Sequence, residues 1–296
     1  MKLGFLGFGE AAYFMAKGLR DEGKKDIMAY DVLVSMPERK EHAVLMERTK
    51  DAGAKLAATL EEFVNAVDCV ISSVPAKFNS NAVHSALAVM KPGQMLVDVT
   101  TDSPDNKREY DKLCKTKGIM YTDGAMMGPL PVYKNTVPML VSGSGAERWR
   151  DEMTPFKMNI EIVGTEGGDG TRIKLARSIF TKGLEALLVE TFTFAHKNGI
   201  VDVVLQSLSE TMDKTPFAKT ALRYVSGDTV HAERRSHEAE EAAAGMRAIG
   251  MDPLVTEGVT KRLKRSAEQG YREKLGGNVP ETWEAVFALW DASGYR

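Results

Sequence analysis

Cysteine is scarce in this chain, with two among 296 residues, Cys69 and Cys114. They lie far apart, and Cys69 sits in an apolar run that reads as a buried strand. That excludes a disulfide framework and points to a reducing, cytoplasmic compartment. No apolar run approaches the ~20 residues of a membrane span. The opening Met1-Lys2-Leu3-Gly4-Phe5-Leu6 is too short for a signal-peptide core and reads as a strand. Charge of one sign is also missing: 39 Lys and Arg against 41 Asp and Glu leave a net charge of -2. Such a balance offers no bulk attraction to nucleic acid or to an anionic membrane. The five histidines make no H-E-x-x-H and the cysteines no ligand pair, so no metal site is expected. Neither G-x-S-x-G nor a Walker-type G-K-[ST] occurs, which removes the common serine-hydrolase and P-loop chemistries. No repeat or low-complexity tract is visible.

What is there is an ordinary globular composition, 43% hydrophobic and 27% charged, in a chain longer than a typical single domain of roughly 100–200 residues. Two domains are therefore expected. From residue 2 to about 163, short apolar runs alternate with amphipathic stretches, the pattern of βαβ units and a doubly wound parallel sheet. Strands are expected at 2–6, 26–30, 68–74, 94–100, 118–122, 138–142 and 159–163, with helices at 10–21, 37–52, 59–66, 80–90, 104–116 and 146–153. Residues 171–198 contain no proline and one glycine, and Ile173, Ala176, Phe180, Gly183, Leu184, Leu187 and Leu188 recur at helical spacing. One long helix follows. The remainder carries helical patterns at 202–212, 215–225, 230–249, 253–268 and 281–292 and no strand.

The chemistry begins at Gly7-Phe8-Gly9-Glu10-Ala11-Ala12. This G-x-G-x-x-A follows a strand and opens a helix, the context that gives a glycine pattern meaning. The first glycine permits a tight turn, the second lets backbone approach a pyrophosphate, and the small third residue allows close packing. The helix N-terminus then offers amide N–H groups to phosphates. Asp31 ends the second strand about twenty residues on, where a carboxylate accepts from ribose hydroxyls and repels a 2′-phosphate. NAD is favoured, while Arg39-Lys40 just downstream keeps NADP open. The competing reading is a tight strand-to-helix turn in some other α/β protein. The fold class expected is thus α/β, with an N-terminal Rossmann domain over 1–164, a long linking helix over 165–198 and an all-α C-terminal domain over 199–296.

Further along, Asp98-Val99-Thr100-Thr101-Asp102-Ser103-Pro104 and Gly168-x-Gly170-x-x-x-Lys174 follow in order. Together with the glycine loop they resemble the β-hydroxyacid dehydrogenases, relatives of 6-phosphogluconate and 3-hydroxyisobutyrate dehydrogenases, over essentially the whole chain. The resemblance extends to a subfamily of phosphogluconate-dehydrogenase-like oxidoreductases with their own C-terminal domain. It implies an NAD(P)-dependent oxidoreductase acting on a small-molecule β-hydroxy acid or related alcohol, and a homodimer. It implies cofactor contacts from Gly7, Phe8, Gly9, Glu10, Ala11, Asp31, Val74, Pro75 and Thr100, and Lys174 as catalytic acid/base. The residues alone also favour Lys174, because Lys174, Ser178, Thr181 and Glu185 form a polar stripe at helical spacing in a largely apolar helix. Partial burial and the neighbouring cations Arg177 and Lys182 would lower an ammonium's pKa toward the range useful for proton transfer. The bland alternative is the solvated face of a surface helix.

The chain departs from the family pattern in three places. Arg177 and Ser178 occupy the turn where the family carries asparagine. Tyr121-Thr122-Asp123-Gly124-Ala125-Met126-Met127 stands where D-A-P-V-S-G-G is usual, so Met127 replaces a serine that holds substrate carboxylate and offers an anion no donor. It suits an apolar substrate group or ordinary core packing equally. Asp123, Gly124, Met127, Arg177 and Ser178 are the expected substrate contacts. The same stretch is similar to imine reductases of this fold, although those generally lack the lysine. In the last domain His237 falls where the family has a second lysine; it could orient substrate or be a surface histidine on a charged helix. Trp283 and Trp290 share a face with Val286 and Phe287 between them, which calls for burial in the core, the cleft or a partner. Three functions remain in view: alcohol oxidation, imine reduction, and a non-catalytic dinucleotide-binding module.

Overall fold

The computed structural model describes residues 1–295. By the density of its contacts the chain divides into two units, Met1–Ser178 and Ile179–Arg296. The first unit is built on eight strands: β1 Leu3–Leu6, β2 Ile27–Tyr30, β3 Lys55–Leu56, β4 Cys69–Ser72, β5 Met95–Asp98, β6 Met120–Met126, β7 Met139–Ser142 and β8 Ile160–Ile162. Its helices are α1 Glu10–Asp21, α2 Lys40–Ala52, α3 Leu60–Ala66, α4 Ala76–Val89, α5 Pro104–Thr116, the single turn α6 Leu130–Tyr133, and α7 Ala146–Met153. The strand order is β3-β2-β1-β4-β5-β6-β7-β8, whose first six strands are the Rossmann order.

The middle strands are buried on both faces because successive side chains alternate between two cores. Leu3, Phe5, Cys69, Ile71, Met95 and Val97 face one layer with Met15 and Leu19 of α1 and Trp149 of α7. Leu6, Val70, Leu96 and Tyr121 face the other with Phe63 of α3, Val83 of α4 and Tyr110 of α5. Both cysteines are buried and free. By the same alternation, Asp98 lies on the side of Leu96, and Asp123 on the side of Tyr121. Both carboxylates thus point toward α5, in register with each other across β5 and β6.

The expected all-parallel sheet is corrected at one place. β1 to β6 are parallel, but β7 pairs antiparallel with β6, and β8 runs parallel to β7. The connection 127–138 explains the reversal: three prolines, Pro129, Pro131 and Pro138, confine it to the single turn α6 and a short 3-10 turn. It has no crossover helix to carry the chain back to the opposite end of the sheet. β6 also runs on through Asp123-Gly124-Ala125-Met126, four residues past its expected end. The short edge strand β3 and the 3-10 turn Val32–Ser35 went unexpected, α2 starts three residues later than read, and α4 starts four residues earlier, directly after Pro75.

α8 Asp169–Lys197 begins in the first unit and ends in the second. The second unit continues with α9 Val201–Met212, α10 Phe217–Ala248, α11 Leu254–Ala267, the single turn α12 Tyr271–Lys274 and α13 Trp283–Ser293, and contains no strand among the described residues. The α/β class with an all-helical C-terminal region therefore holds. Two helices expected at 215–225 and 230–249 are one, α10, which passes through Gly227. A glycine inside a helix costs about 1 kcal/mol relative to alanine, too little to break 32 residues with tertiary support. Glu190 of α8 caps α11, accepting from the Val255 and Thr256 amides at 2.8 Å each. On α13, Val286 is fully buried, while Trp283, Phe287 and Trp290 form a ladder of rings 5.6 Å apart.

Candidate functional site

The glycine loop is held by geometry that only glycine allows. Gly7 has φ +83°, and a Cβ there would lie 2.6 Å from Val74 Cγ1 and 2.8 Å from the Ser73 carbonyl. Its N–H donates to the Tyr30 carbonyl at 2.8 Å, tying the loop to β2. Gly9 is different, since a Cβ there would meet nothing within 4 Å. The protein's own packing does not demand glycine at this position, and the space over the first turn of α1 is open. Gly9 is the N-cap of α1 and no side chain caps that helix. The first-turn amides, from Glu10 and Ala11 onward, therefore suit an anion such as a pyrophosphate. Phe8 is buried against Phe5, edge to face at 5.9 Å.

Asp31, half-buried, braces the same loop. Its carboxylate accepts from the Phe8 amide at 2.9 Å and from the Leu33 amide at 3.0 Å. Across the loop, the Val74 amide donates to Thr100 Oγ1 at 3.3 Å, and Pro75 starts α4. The structure thus brings Gly7, Phe8, Asp31, Val74 and Thr100 to the carboxyl ends of β1, β2, β4 and β5, as two bonded pairs, Phe8 with Asp31 and Val74 with Thr100. These residues fit a dinucleotide.

Beneath it lies a polar network that sequence reasoning missed. Lys107, on α5, is fully buried, and its Nζ pairs with Asp98 Oδ1 at 3.1 Å and Asp123 Oδ1 at 3.2 Å. The ammonium also donates to the Asp98 carbonyl at 2.9 Å. Asp98 Oδ2 accepts from Asn79 at 2.9 Å and from the Tyr121 hydroxyl at 3.2 Å, and its Oδ1 accepts from the Thr100 amide. The sequence carries no local signal for it: the buried residues of α5 are Lys107, Tyr110, Asp111 and Cys114, and both charged ones read as solvated.

Asp102, in the loop before α5, accepts from Asn79, Asn106, the Ser103 amide and the Tyr110 hydroxyl. Burial alone would raise its carboxyl, but these four donors outweigh it and hold the group below the ordinary aspartate range. Burial, with the charge of Asp102 adding to it, pushes the Tyr110 phenol up to about 12, so Tyr110 stays a donor. Burial likewise pushes the Cys114 thiol up to about 12 and Cys69 higher still, which leaves neither as a thiolate nucleophile.

Lys174 stands half-buried near the start of α8. The glycines ahead of it are packed against backbone: a Cβ on Gly168, at φ +100°, would fall 2.4 Å from the Pro104 carbonyl, and one on Gly170 would fall 2.9 Å from that of Leu140. Two of the expected substrate contacts, Asp123 and Gly124, are buried. Asp123 is fully buried, with Oδ2 accepting from the Thr171 amide and Oδ1 from the Thr171 hydroxyl, each at 2.8 Å. It holds the protein's own helix. Gly124 is buried in β6, where a Cβ would meet Val99 at 3.1 Å and Met139 at 3.3 Å. Met127 and Ser178 are half-buried and Arg177 is exposed. His237 lies exposed on α10 in the second unit. The described residues hold no cluster of three or more His, Cys, Asp or Glu able to bind a metal, and no helix long and apolar enough to cross a membrane.

Comparison with known proteins agrees with this geometry. Residues 2–153 match the family described as the NAD binding domain of 6-phosphogluconate dehydrogenase, and residues 195–266 match a domain of unknown function (DUF1932). The chain is 28% identical to an uncharacterized 28.5 kDa protein of Methanothermus fervidus, over 91% of this chain and all of that one. It is 25% identical to 2-(hydroxymethyl)glutarate dehydrogenase of Eubacterium barkeri over 70% of this chain and 68% of that one. A reductive aminase from Aspergillus terreus shares the fold, with a TM-score of 0.75 at 19% identity over 98% of each chain.

Two outcomes follow from the polar network. Lys107→Met removes the ammonium that both buried carboxylates share and should cost about 3–5 kcal/mol, read as a lower urea midpoint. Asp102 has a folded pKa below its unfolded value of about 3.9, so its stabilisation is present above that value and lost as pH falls through the folded pKa. Asp102→Asn should therefore lose stability at neutral pH and show a flatter decline below about pH 4, measured by thermal melts across the acid range.

Proposed function

Because this chain belongs to the family of the NAD binding domain of 6-phosphogluconate dehydrogenase, we propose that it is an NAD(P)-dependent oxidoreductase acting on the hydroxyl-bearing carbon of a β-hydroxy acid or related alcohol. The carrying observation is the uncapped start of α1 behind Gly7 and Gly9, in the unit that also contains Lys174. When bound, the nicotinamide supplies hydride acceptance and donation. The amides of Gly9, Glu10 and Ala11 would hold the phosphates, with Gly7 and Phe8, whose own amides are taken by Tyr30 and Asp31, shaping the loop beside them; Asp31 would receive the adenosine ribose hydroxyls, and Val74, Pro75 and Thr100 would line the nicotinamide side. The remaining lone pairs of Asp31 favour NAD over a 2′-phosphorylated cofactor.

Lys174 takes the proton from the substrate hydroxyl in oxidation and returns it to the same oxygen in reduction. Arg177, exposed one turn later on α8, offers a substrate carboxylate the donors that Met127 lacks. Ser178 contributes a hydroxyl within reach of the same helix face, and Met127 contacts an apolar part of the substrate. The likeness in fold to a reductive aminase keeps imine reduction as the second reading.

The partner proposed, besides a small-molecule substrate, is a second copy of this chain. Ile179 and Val189 of α8 are 77% and 64% exposed, and Phe180, Leu184, Leu187 and Leu188 are also open. Apolar side chains this open are normally covered by a partner, and an isologous pairing of α8 would cover them.

A panel of β-hydroxy acids, β-hydroxy amino acids, aromatic alcohols and imines, followed by nicotinamide absorbance with both cofactors, tests the reaction. Lys174→Ala should lower alcohol turnover by about 10²–10⁴-fold with cofactor affinity unchanged; near-normal turnover overturns the assignment. Light scattering should give twice the 32.5 kDa chain mass, falling to one chain in a Leu187→Asp, Val189→Asp double variant.

A further inference from the structure

The first turn of α8 is bonded to the sheet rather than to its own cap. The Gly170 amide donates to Ser142 Oγ on β7 at 3.1 Å, and the Gly167 amide just ahead donates to Asp111 on α5 at 3.1 Å. Thr171 gives both its amide and its hydroxyl to the two oxygens of Asp123 on β6. A local cap travels with its helix and fixes only the terminus. Two bonds from one residue to a carboxylate on a different element also fix the rotation of the helix about its axis.

That carboxylate cannot yield easily. Asp123 Oδ1 is paired with Lys107, whose ammonium also contacts Asp98 Oδ1 and the Asp98 carbonyl, and all three side chains are fully buried. Lys174 is three residues after Thr171, on the same helix face. Its long side chain magnifies any rotation of that face, and a misplacement of about 1 Å at a reacting group costs up to about 10²-fold in rate. We propose that Asp123, clamped by Lys107 and bonded to Thr171, is a positioning residue that sets the angular placement of Lys174; this rests on the reading of Lys174 as acid/base.

The test reads Lys174 directly and needs no substrate. Lysines of the full-length protein are reductively ¹³C-dimethylated, and the Lys174 resonance is identified by its loss in Lys174→Arg. In the native chain its two methyl signals should be shifted from those of exposed lysines. Thr171→Val removes the hydroxyl bond with little change of shape. It should collapse those signals to the exposed position and speed amide exchange at 170–174 by about tenfold or more, the loss of one hydrogen bond to a charged acceptor. Thr171→Ser should restore both. A Thr171→Val spectrum and titration of Lys174 identical to the native ones would overturn the proposal, even if Lys174→Ala abolishes turnover. Conversely, normal turnover in Lys174→Ala with the predicted spectral change would sink the catalytic reading and leave the positioning intact.

Discussion

One ammonium shared by two carboxylates underlies the first unit. Asp98 and Asp123 stand side by side because β5 and β6 are parallel and in register there, and Lys107 enters between them from α5. Two acidic groups so close and so far from water are tolerable only with a partner. That requirement ties α5 to both strands. Through Thr100 it reaches the wall of the glycine loop, and through Thr171 it reaches α8. The nucleotide side and the lysine side of the candidate site therefore share a foundation.

Motifs whose meaning is local were legible in the sequence. Gly7-x-Gly9 after an apolar run, with Asp31 ending the next one, is a statement about a turn and its neighbouring strand, and the structure closes it with the bond from the Phe8 amide to Asp31. The alternation of apolar runs with amphipathic stretches likewise reports a sheet covered on both faces. Lys107 was not legible, because nothing local distinguishes it from a solvated lysine; its burial follows from two aspartates 9 and 16 residues away meeting it in space. The same long-range pairing buries Asp123 against Lys107 and Thr171, which its place in a motif does not announce.

Topology was half legible for a related reason. Periodicity marks where strands are but not which way they run, and the direction of β7 hung on a proline-rich connection for which no helix was expected. In the helical unit, Gly227 was read as punctuation, yet a single glycine is a small local penalty against the packing that runs the length of α10.

Gly7 and Gly9 look alike in sequence, yet they answer to different pressures. Gly7 is required by the folded chain itself, since any side chain would strike Val74 and the backbone of Ser73. Gly9 touches no such wall. A fold maintained for its shape alone would be free to drift at Gly9 and not at Gly7, so the second glycine is the position where a chain that had given up its nucleotide could lose the motif without losing the protein.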